Sequence, residues 1–389
     1  MIGGIGMRFV ATCLFGLEKL VGEEIDALGY QRAETLDGRV IFDAPIDAIV
    51  KCNLRLRFAE RVLILLSSFP AATFEELFQG TKRIAWEEWV GKEDAFPVKG
   101  HSVKSALFSI PDCQKIIKKA AVDHLSSVYG IQRFSETGVT YQIEFFILKD
   151  VAYIMIDTSG ITLHKRGYRP QSNAAPLRET LAAALVCMSR PREDVLFVDP
   201  LCGSGTIAIE AALYTRHIAP GLHRHFAAEQ FPQIPKEAWD AERRLAQSEI
   251  LPASTKIYGF DIDPECIALA KENARRAGVQ NDIVFKTGDA SHFRSPVPDA
   301  RGTIVANPPY GERLGDLKQA RDLAKAMGEA FRRNVPSWQI YVITSDEQYE
   351  QYFGRKADKV RKLYNGMIRC NFYQFFKRKD NLAGNQHKC

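Results

Sequence analysis

The 389-residue sequence lacks the features that mark membrane and secreted proteins. It contains no run of about eighteen apolar residues, so we expect no membrane-spanning helix. No secretory signal segment is visible at the N terminus, and no internal repeat is evident. The eight cysteines show no paired spacing, and no Cys/His set has the spacing of a zinc site. These absences predict a cytoplasmic protein with reduced thiols and no bound metal.

The charge balance is mildly basic. The net charge is +5 and the pI is near 8.7, which is compatible with binding to nucleic acid without requiring it. A chain of this length predicts two or three domains. The sequence leaves the oligomeric state undetermined.

The N-terminal part alternates short strands with amphipathic helices. Asp37-Gly38 between apolar runs predicts a β-hairpin, and we expect a small α+β region over residues 7–55. A second α+β region follows over residues 56–160. Basic side chains neutralise phosphates, and this part together with the basic segment 163–170 supplies the candidate RNA contacts. These candidates are Lys99, Lys104, Lys115, Lys118, Lys119, Lys165, Arg166 and Arg169.

From residue 161 to 378 strands alternate with helices, which predicts a parallel sheet that binds ligands at the carboxyl ends of its strands. Four polar residues, Asp199, Asp261, Asp289 and Asn307, each follow the end of a predicted strand. We therefore expect them to converge on one cleft. Residues 379–389 are expected to form a loose tail.

A glycine-rich loop follows the first of these strands. Gly203 and Gly205 with Ala208 formally match the dinucleotide fingerprint, so NAD is one candidate ligand. Asp199 immediately before the loop would repel a pyrophosphate but attract an ammonium group. Asp261 lies more than fifty residues further on, whereas a dinucleotide site places its acid about twenty residues on.

These features favour S-adenosylmethionine as the cofactor. In this interpretation Asp199 faces the amino group, Asp261 binds the ribose hydroxyls, and Asp289 accepts from the adenine amine. The full set of predicted cofactor-binding residues is Asp199, Pro200, Cys202, Gly203, Gly205, Thr206, Asp261, Ile262, Asp289, Ala290 and Asn307.

The fourth strand ends in Asn307-Pro308-Pro309-Tyr310, which we predict to be catalytic. Proline fixes its own φ, lacks an N–H and holds the preceding residue extended. The Asn307 side chain and the Pro308 carbonyl offer acceptors beside the flat ring of Tyr310. Such a group suits a planar base whose exocyclic NH2 must be hydrogen-bonded into an attacking geometry.

These motifs support a family resemblance. Asp-Pro-Leu-Cys-Gly-Ser-Gly-Thr-Ile at 199–207 and Asn-Pro-Pro-Tyr-Gly-Glu-Arg-Leu at 307–314, together with residues 163–169 and 175–182, resemble the THUMP-containing bacterial 23S rRNA guanine-N2 methyltransferases. The resemblance implies an α/β fold: a Rossmann-like seven-stranded methyltransferase domain preceded by ferredoxin-like and THUMP α+β domains. It also implies an RNA partner. Larger members of the family carry a second methyltransferase domain, for which this chain leaves no room, so we expect one activity.

Three other functions remain open at this stage. A tRNA guanine-N2 methyltransferase would share the same site. An adenine-N6 DNA methyltransferase would also carry Asn-Pro-Pro-Tyr, but no DNA target-recognition domain is evident. A non-catalytic RNA-binding assembly factor would be expected to have lost the acidic residues that this chain retains.

Overall fold

The computed structural model describes residues 6–169, 177–309 and 317–376. The chain divides into two compact units. The first unit comprises residues up to 166 together with 219–248, and the second comprises 167–218 together with the residues from 249 onward. The chain therefore passes between the units three times.

The N-terminal strands form a single mixed sheet, and helices connect several of them. In chain order they are β1 (Met7–Cys13), α1 (Glu18–Ala27), β2 (Gln31–Leu36), β3 (Arg39–Ala44), α2 (Ala48–Arg55), β4 (Ala59–Pro70), α3 (Phe74–Lys82), β5 (Val98–Val103), α4 (Ile110–Tyr129), β6 (Ile143–Leu148) and β7 (Val151–Asp157). The strand order is β2-β3-β1-β4-β7-β6-β5. The turn predicted at Asp37-Gly38 is present between β2 and β3, where Gly38 takes a φ of 75°.

Strand β4 joins the two halves of this sheet. Its first part pairs with β1, from Ala59 to Ile64, and the part from Leu63 to Pro70 pairs with β7. The strands β2-β3-β1-β4 have the antiparallel order of a ferredoxin-like fold, and β5, β6 and β7 continue the same sheet. The two N-terminal regions therefore share one sheet and one long strand.

The remaining elements follow an α/β pattern. They are α5 (Glu179–Ser189), β8 (Leu196–Asp199), α6 (Thr206–Thr215), α7 (Lys236–Ser248), β9 (Ile257–Asp261), α8 (Pro264–Arg276), β10 (Ile283–Thr287), β11 (Gly302–Ala306), α9 (Leu317–Asn334), β12 (Gln339–Thr344), α10 (Tyr349–Phe353), β13 (Lys359–Asn365) and β14 (Ile368–Phe375). All of them except α7 belong to the second unit.

Helix α7 and its flanking loops are packed in the first unit. Trp239 of α7 is 1% exposed and stacks on Phe226 with ring centroids 5.4 Å apart. Glu242 pairs with Arg55 of α2, and Gly221 donates to the Leu54 carbonyl at 2.9 Å. The polar, proline-containing stretch of the sequence is thus an insertion that completes the core of the first unit.

The sheet of the second unit has the order β10-β9-β8-β11-β12-β14-β13. Strands β10, β9, β8, β11 and β12 are parallel to one another, while β14 is antiparallel to both of its neighbours. This is the Rossmann-like seven-stranded arrangement predicted from the sequence. Because the five parallel strands point the same way, their carboxyl ends lie along one edge of the sheet.

Candidate active site

A cavity of about 410 Å³ lies at the carboxyl ends of the parallel strands in the second unit. Asp199, Asp261, Asp289 and Asn307 all line it. Each follows or ends a different strand, so the topology alone brings together residues that are up to 108 positions apart in sequence. The volume lies within the range of pockets that hold small molecules and cofactors.

The glycine loop forms one wall of the cavity. Gly203 and Gly205 have φ values of 49° and 85°, in the left-handed region that side chains avoid. A Cβ on Gly205 would also lie 3.0 Å from the Ala270 Cβ and from the Phe285 ring. Both φ values favour glycine, and the close approach at Gly205 makes glycine the residue that fits where the loop turns into the first residue of α6, Thr206.

Asp199 is the most deeply buried acid of the cavity, with 1% of its surface exposed. Burial raises the pKa of its carboxyl to about 8, and the charge of nearby Asp261 acts in the same direction. The backbone N–H of Leu201 donates to it at 3.1 Å and only partly offsets these effects. A cation placed beside Asp199 would stabilise the carboxylate and release its proton.

Asp261 is held by backbone donors on both of its oxygens. Gly203 donates to Oδ2 at 2.9 Å and Asp263 donates to Oδ1 at 3.0 Å. The carboxylate is thereby fixed to the glycine loop while each oxygen keeps a further lone pair for a ligand. Beside it, Ile262 lines the cavity although 67% of its surface is exposed, so it offers an apolar face to a ligand.

Asp289 begins a short 3-10 turn after β10. Its carboxylate accepts from the Ser291 N–H at 2.8 Å and contacts Nδ1 of His292 at 3.0 Å. Partial burial opposes ionisation, but these hydrogen bonds outweigh it and lower the pKa of Asp289. The carboxylate is therefore ionised at neutral pH. It could accept a hydrogen bond from a ligand amine in addition to the one from Ser291.

Asn307 follows β11, whose five residues are all buried. Its side-chain oxygen is buried and has no hydrogen-bond partner among the described residues. A buried acceptor left without a donor costs about 1–3 kcal/mol. Pro308 and Pro309 line the cavity next to it, while Tyr310 lies outside the described residues.

Arg169 was predicted to contact RNA, but the structure places it in the wall of this cavity. Its side chain is 6% exposed and pairs with Glu179 at 3.0 Å. It also donates to Thr206 Oγ1 at 2.9 Å and to the Leu177 carbonyl at 3.2 Å. A guanidinium held in this way cannot reach the phosphates of a nucleic acid outside the cavity, so the predicted phosphate contact is wrong.

Most of the predicted cofactor-binding residues line the cavity. Those that do are Asp199, Cys202, Gly203, Thr206, Asp261, Ile262, Asp289, Ala290 and Asn307. Pro200 and Gly205 are not part of the lining, and Gly205 instead shapes the turn into α6. Burial raises the pKa of the Cys202 thiol, which therefore remains neutral and contributes packing rather than charge.

Sequence reasoning missed several lining residues. Apart from Arg169 they are Leu177, Leu201, Ser204, Ile207 and Leu323. It also missed Asn273, which is fully buried in α8 and donates to the Ser204 carbonyl at 2.9 Å, supporting the glycine loop from behind. Leu177 stands in the quoted 175–182 motif, so that motif carried a usable signal, whereas Leu323 and Asn273 follow no local pattern.

The remaining predicted RNA contacts lie on the first unit and differ in exposure. Lys99, Lys104, Lys115, Lys119 and Lys165 are exposed. Lys118 is engaged internally, since its ammonium donates to the Phe96 carbonyl at 3.1 Å and pairs with Glu136. Arg166 is 5% exposed and donates to the carbonyls of Leu163 and Arg57, so its predicted phosphate contact is wrong.

The described residues contain neither a membrane-spanning helix nor a cluster of metal-binding side chains. No helix within residues 6–169, 177–309 and 317–376 is long and apolar enough to cross a bilayer. In the same residues no group of three or more His, Cys, Asp or Glu side chains could hold a metal ion. The seven described cysteines form no disulfide with one another.

Three family models match this chain. An RMKL-like methyltransferase domain matches residues 166–374, an RlmL ferredoxin-like domain matches 8–63, and a THUMP domain matches 71–157. The chain is 44% identical over 372 residues to YpsC of Bacillus subtilis, a candidate RNA methyltransferase, covering 95% of this chain and 96% of YpsC.

Longer relatives match over part of their length. The chain is 33% identical over 390 residues to the ribosomal RNA large subunit methyltransferase K/L of Syntrophotalea carbinolica, covering 95% of this chain but 53% of the relative. It thus spans about half the length of the K/L relatives. The crystal structure of SMU.472, a candidate methyltransferase complexed with SAH, superposes with a TM-score of 0.89 at 40% identity, over 97% of this chain and 99% of that one.

These matches confirm the predicted fold, the THUMP assignment, and the prediction of a methyltransferase that uses S-adenosylmethionine. The methyltransferase model covers more than half of the chain, and the match to YpsC extends over nearly all of it. The chain therefore belongs to the RMKL-like methyltransferase family, UPF0020.

Proposed function

We propose that this chain methylates the exocyclic N2 amino group of a guanosine in 23S rRNA, with S-adenosylmethionine as the methyl donor. The observation that carries the proposal is the buried Asn307 oxygen, which has no hydrogen-bond partner in the described part of the chain and lies in a cavity that three acids also line. An amino group attached to an aromatic ring would supply the missing donor. The rRNA target is supported by the K/L relatives, which are named as rRNA large subunit methyltransferases.

The charges of the cavity suit the cofactor. Asp199 would pair with its ammonium group, and Asp261, already oriented by Gly203, would accept from its ribose hydroxyls. Asp289 and the exposed face of Ile262 would hold the adenine ring. Arg169 is the only cation among the described lining residues, and it would neutralise the carboxylate of the methionine portion.

The cofactor would supply a methyl group that is already strongly electrophilic on its sulfonium. The protein then has to hold the attacking nitrogen in line and exclude water. The base would be flipped out of the RNA into the cavity. There the Asn307 oxygen would accept one N–H of the amino group and the Pro308 carbonyl the other, directing the nitrogen lone pair toward the methyl. After transfer the nitrogen loses its proton to water, so no strong base is required.

Assignment of the modified nucleoside tests this proposal. The purified chain would be incubated with methyl-labelled S-adenosylmethionine and, separately, 23S rRNA, tRNA and DNA. Digestion to nucleosides and mass spectrometry should then reveal N2-methylguanosine from 23S rRNA. Label in tRNA alone would show that the substrate is tRNA and not 23S rRNA. N6-methyladenine in DNA would show that the enzyme methylates adenine in DNA. Failure to label any of the three substrates would reject the proposed activity.

A further inference from the structure

The β13–β14 hairpin of the second unit concentrates positive charge. Residues 355–376 contain six Lys or Arg residues and one acid, Asp358. Their net charge of +5 equals that of the whole chain, so the other residues sum to zero. Asp358 pairs with Arg355 at 3.1 Å, which leaves the rest of the positive charge uncompensated within the hairpin.

The charge lies on the free edge of the sheet. Strand β13 is the last strand in the order, and Lys359, Val360, Arg361 and Lys362 are exposed in succession. Among the described residues, no acid forms an ion pair with Lys359, Arg361 or Lys362. Arg369 on β14 is opposite Tyr364 and reaches Glu347 at 3.5 Å, on the surface.

Successive side chains of β13 point alternately to the two faces of the sheet. Arg361 shares a face with buried Leu363, whereas Lys362 points to the other face, with Tyr364. Met367, in the turn after Gly366, is 97% exposed and adds an apolar group at the hairpin tip. An exposed basic strip with aromatic and apolar side chains suits the phosphates and bases of a single-stranded nucleic acid.

The exposed basic residues of β13, Lys359, Arg361 and Lys362, lie in the same sheet as the proposed reaction site. Strand β13 ends at the same edge of the sheet as β11, and β11 and β13 are three strand spacings apart, about 14 Å. At the hairpin tip, Asn365 Oδ1 accepts from the backbone N–H of Arg178 at 3.4 Å, and the preceding residue, Leu177, lines the cavity. A nucleotide held at Asn307 would therefore have its flanking backbone within reach of β13.

We propose that the β13 edge binds the phosphodiester backbone of the substrate RNA next to the target nucleotide. This inference rests on the proposed function, because it needs an RNA substrate at the cavity. The edge would supply binding energy without touching the reacting atoms. It would add to the RNA contacts proposed for the first unit.

The test is the double charge reversal Arg361→Glu with Lys362→Glu, measured by filter binding to transcribed 23S rRNA and to tRNA at several salt concentrations. We expect the Kd of the bound RNA to rise about tenfold at low salt, and the slope of log Kd against log salt to fall by roughly 1.5–2, or close to one per lost phosphate contact. The cofactor Kd and the kcat at saturating RNA should stay unchanged.

The matched control is Lys271→Glu with Arg333→Glu. It makes the same change in net charge at two exposed positions of the same unit, on α8 and α9. If it weakens RNA binding as much as the edge variant does, the effect is one of general charge and the proposal fails. An unchanged salt slope in the edge variant also overturns it, as does wild-type protein that binds neither RNA.

Lysines on an edge strand also prevent unwanted strand pairing. If that is their only role, the edge variant will associate with itself in sedimentation while its monomer keeps the wild-type RNA Kd, which would reject the proposal. The variant pair Arg361→Gln with Lys362→Gln avoids new repulsion and should show a smaller shift in the same direction. Methyl transfer by the wild type is measured separately. If the wild type binds RNA but transfers no methyl group, the proposed function is rejected. The ratio of the RNA Kd of the edge variant to that of the wild type still tests whether the β13 edge binds RNA.

Discussion

The two seven-stranded sheets of this protein place polar groups in different ways. In the second unit five strands run parallel, and the groups that follow them gather at one edge, where Asp199, Asp261 and Asn307 line one cavity. In the first unit most neighbouring strands are antiparallel, so their ends alternate between the two edges. Its exposed lysines are accordingly spread over β5, α4 and the loops. Parallel strands concentrate polar side chains at one edge, and the mixed sheet distributes charge over its surface.

The sharpest way to break this contrast is to remove the proposed reacting contact of the parallel sheet. Asn307→Ala should lower kcat by about a hundred- to a thousandfold, as expected for loss of an oriented hydrogen bond in a transition state. Its cofactor Kd, measured by calorimetry, should remain close to that of the wild type. Asn281→Ala, at an exposed amide of the same unit, serves as the control. Near-normal turnover of the Asn307 variant would remove Asn307 from the mechanism.

The second test concerns the acid at the bottom of the cavity. Asp199→Asn should weaken cofactor binding by about 10- to 100-fold, the value of a hydrogen bond to a charged group. Because burial raises the pKa of Asp199 to about 8, the proposed pairing with the cofactor ammonium requires the wild type to lose a proton. Its Kd should therefore fall by up to about tenfold per unit between about pH 6 and pH 7.5. Calorimetry in buffers of different ionisation enthalpy would count the released proton, which should be absent in the variant.

The same acid also affects the stability of the cofactor-free protein. Its pKa in the folded chain exceeds the ordinary value of 3.8, so its contribution to folding is largest below that value and is lost as the pH rises through about 8. Asp199→Asn should thus raise the Tm at alkaline pH and change it little at pH 4. A Tm difference that is independent of pH would show that Asp199 is ionised in the free protein.

The smallest effects are expected in the first unit, where the charges act independently. Reversal of Lys99, Lys115 and Lys119 to Glu should raise the RNA Kd severalfold and lower the salt slope by roughly 2–3. Methyl transfer at saturating RNA should be preserved because none of these residues lines the cavity. Lys19→Glu, at an exposed position on α1, is the control, and its effect on the RNA Kd is compared with the effect of each charge reversed in the triple variant. A slope equal to that of the wild type would locate RNA binding elsewhere.

Local patterns predicted what depends on local physics. The dipeptide Asp37-Gly38 predicted the hairpin turn between β2 and β3, and the alternation of strands and helices predicted the parallel sheet with its four polar strand ends. Burial of an arginine depends on distant partners, so the basic segment 163–170 did not reveal that the side chains of Arg166 and Arg169 are buried. Arg166 is bound to the carbonyl of Arg57, and Arg169 pairs with Glu179 across the end of the segment.

Packing between segments far apart in the sequence was equally invisible. Nothing in residues 219–248 indicates that α7 packs with the N-terminal part of the chain, where its Glu242 pairs with Arg55. The length of β4 gave no sign that it would pair with β1 at one end and with β7 at the other. Hydrophobic periodicity identifies the buried side of an element but not the element that covers it.

The insertion that carries α7 has a consequence for synthesis. Residues 219–248 belong to the first unit, yet their translation is complete only about eighty residues after Arg166. At elongation rates of about 5–20 residues per second, this corresponds to a delay of roughly 4–16 s. During that interval α2 lacks the helix that pairs with it through Arg55 and Glu242, so we expect the emerging chain to hold this side of α2 uncovered.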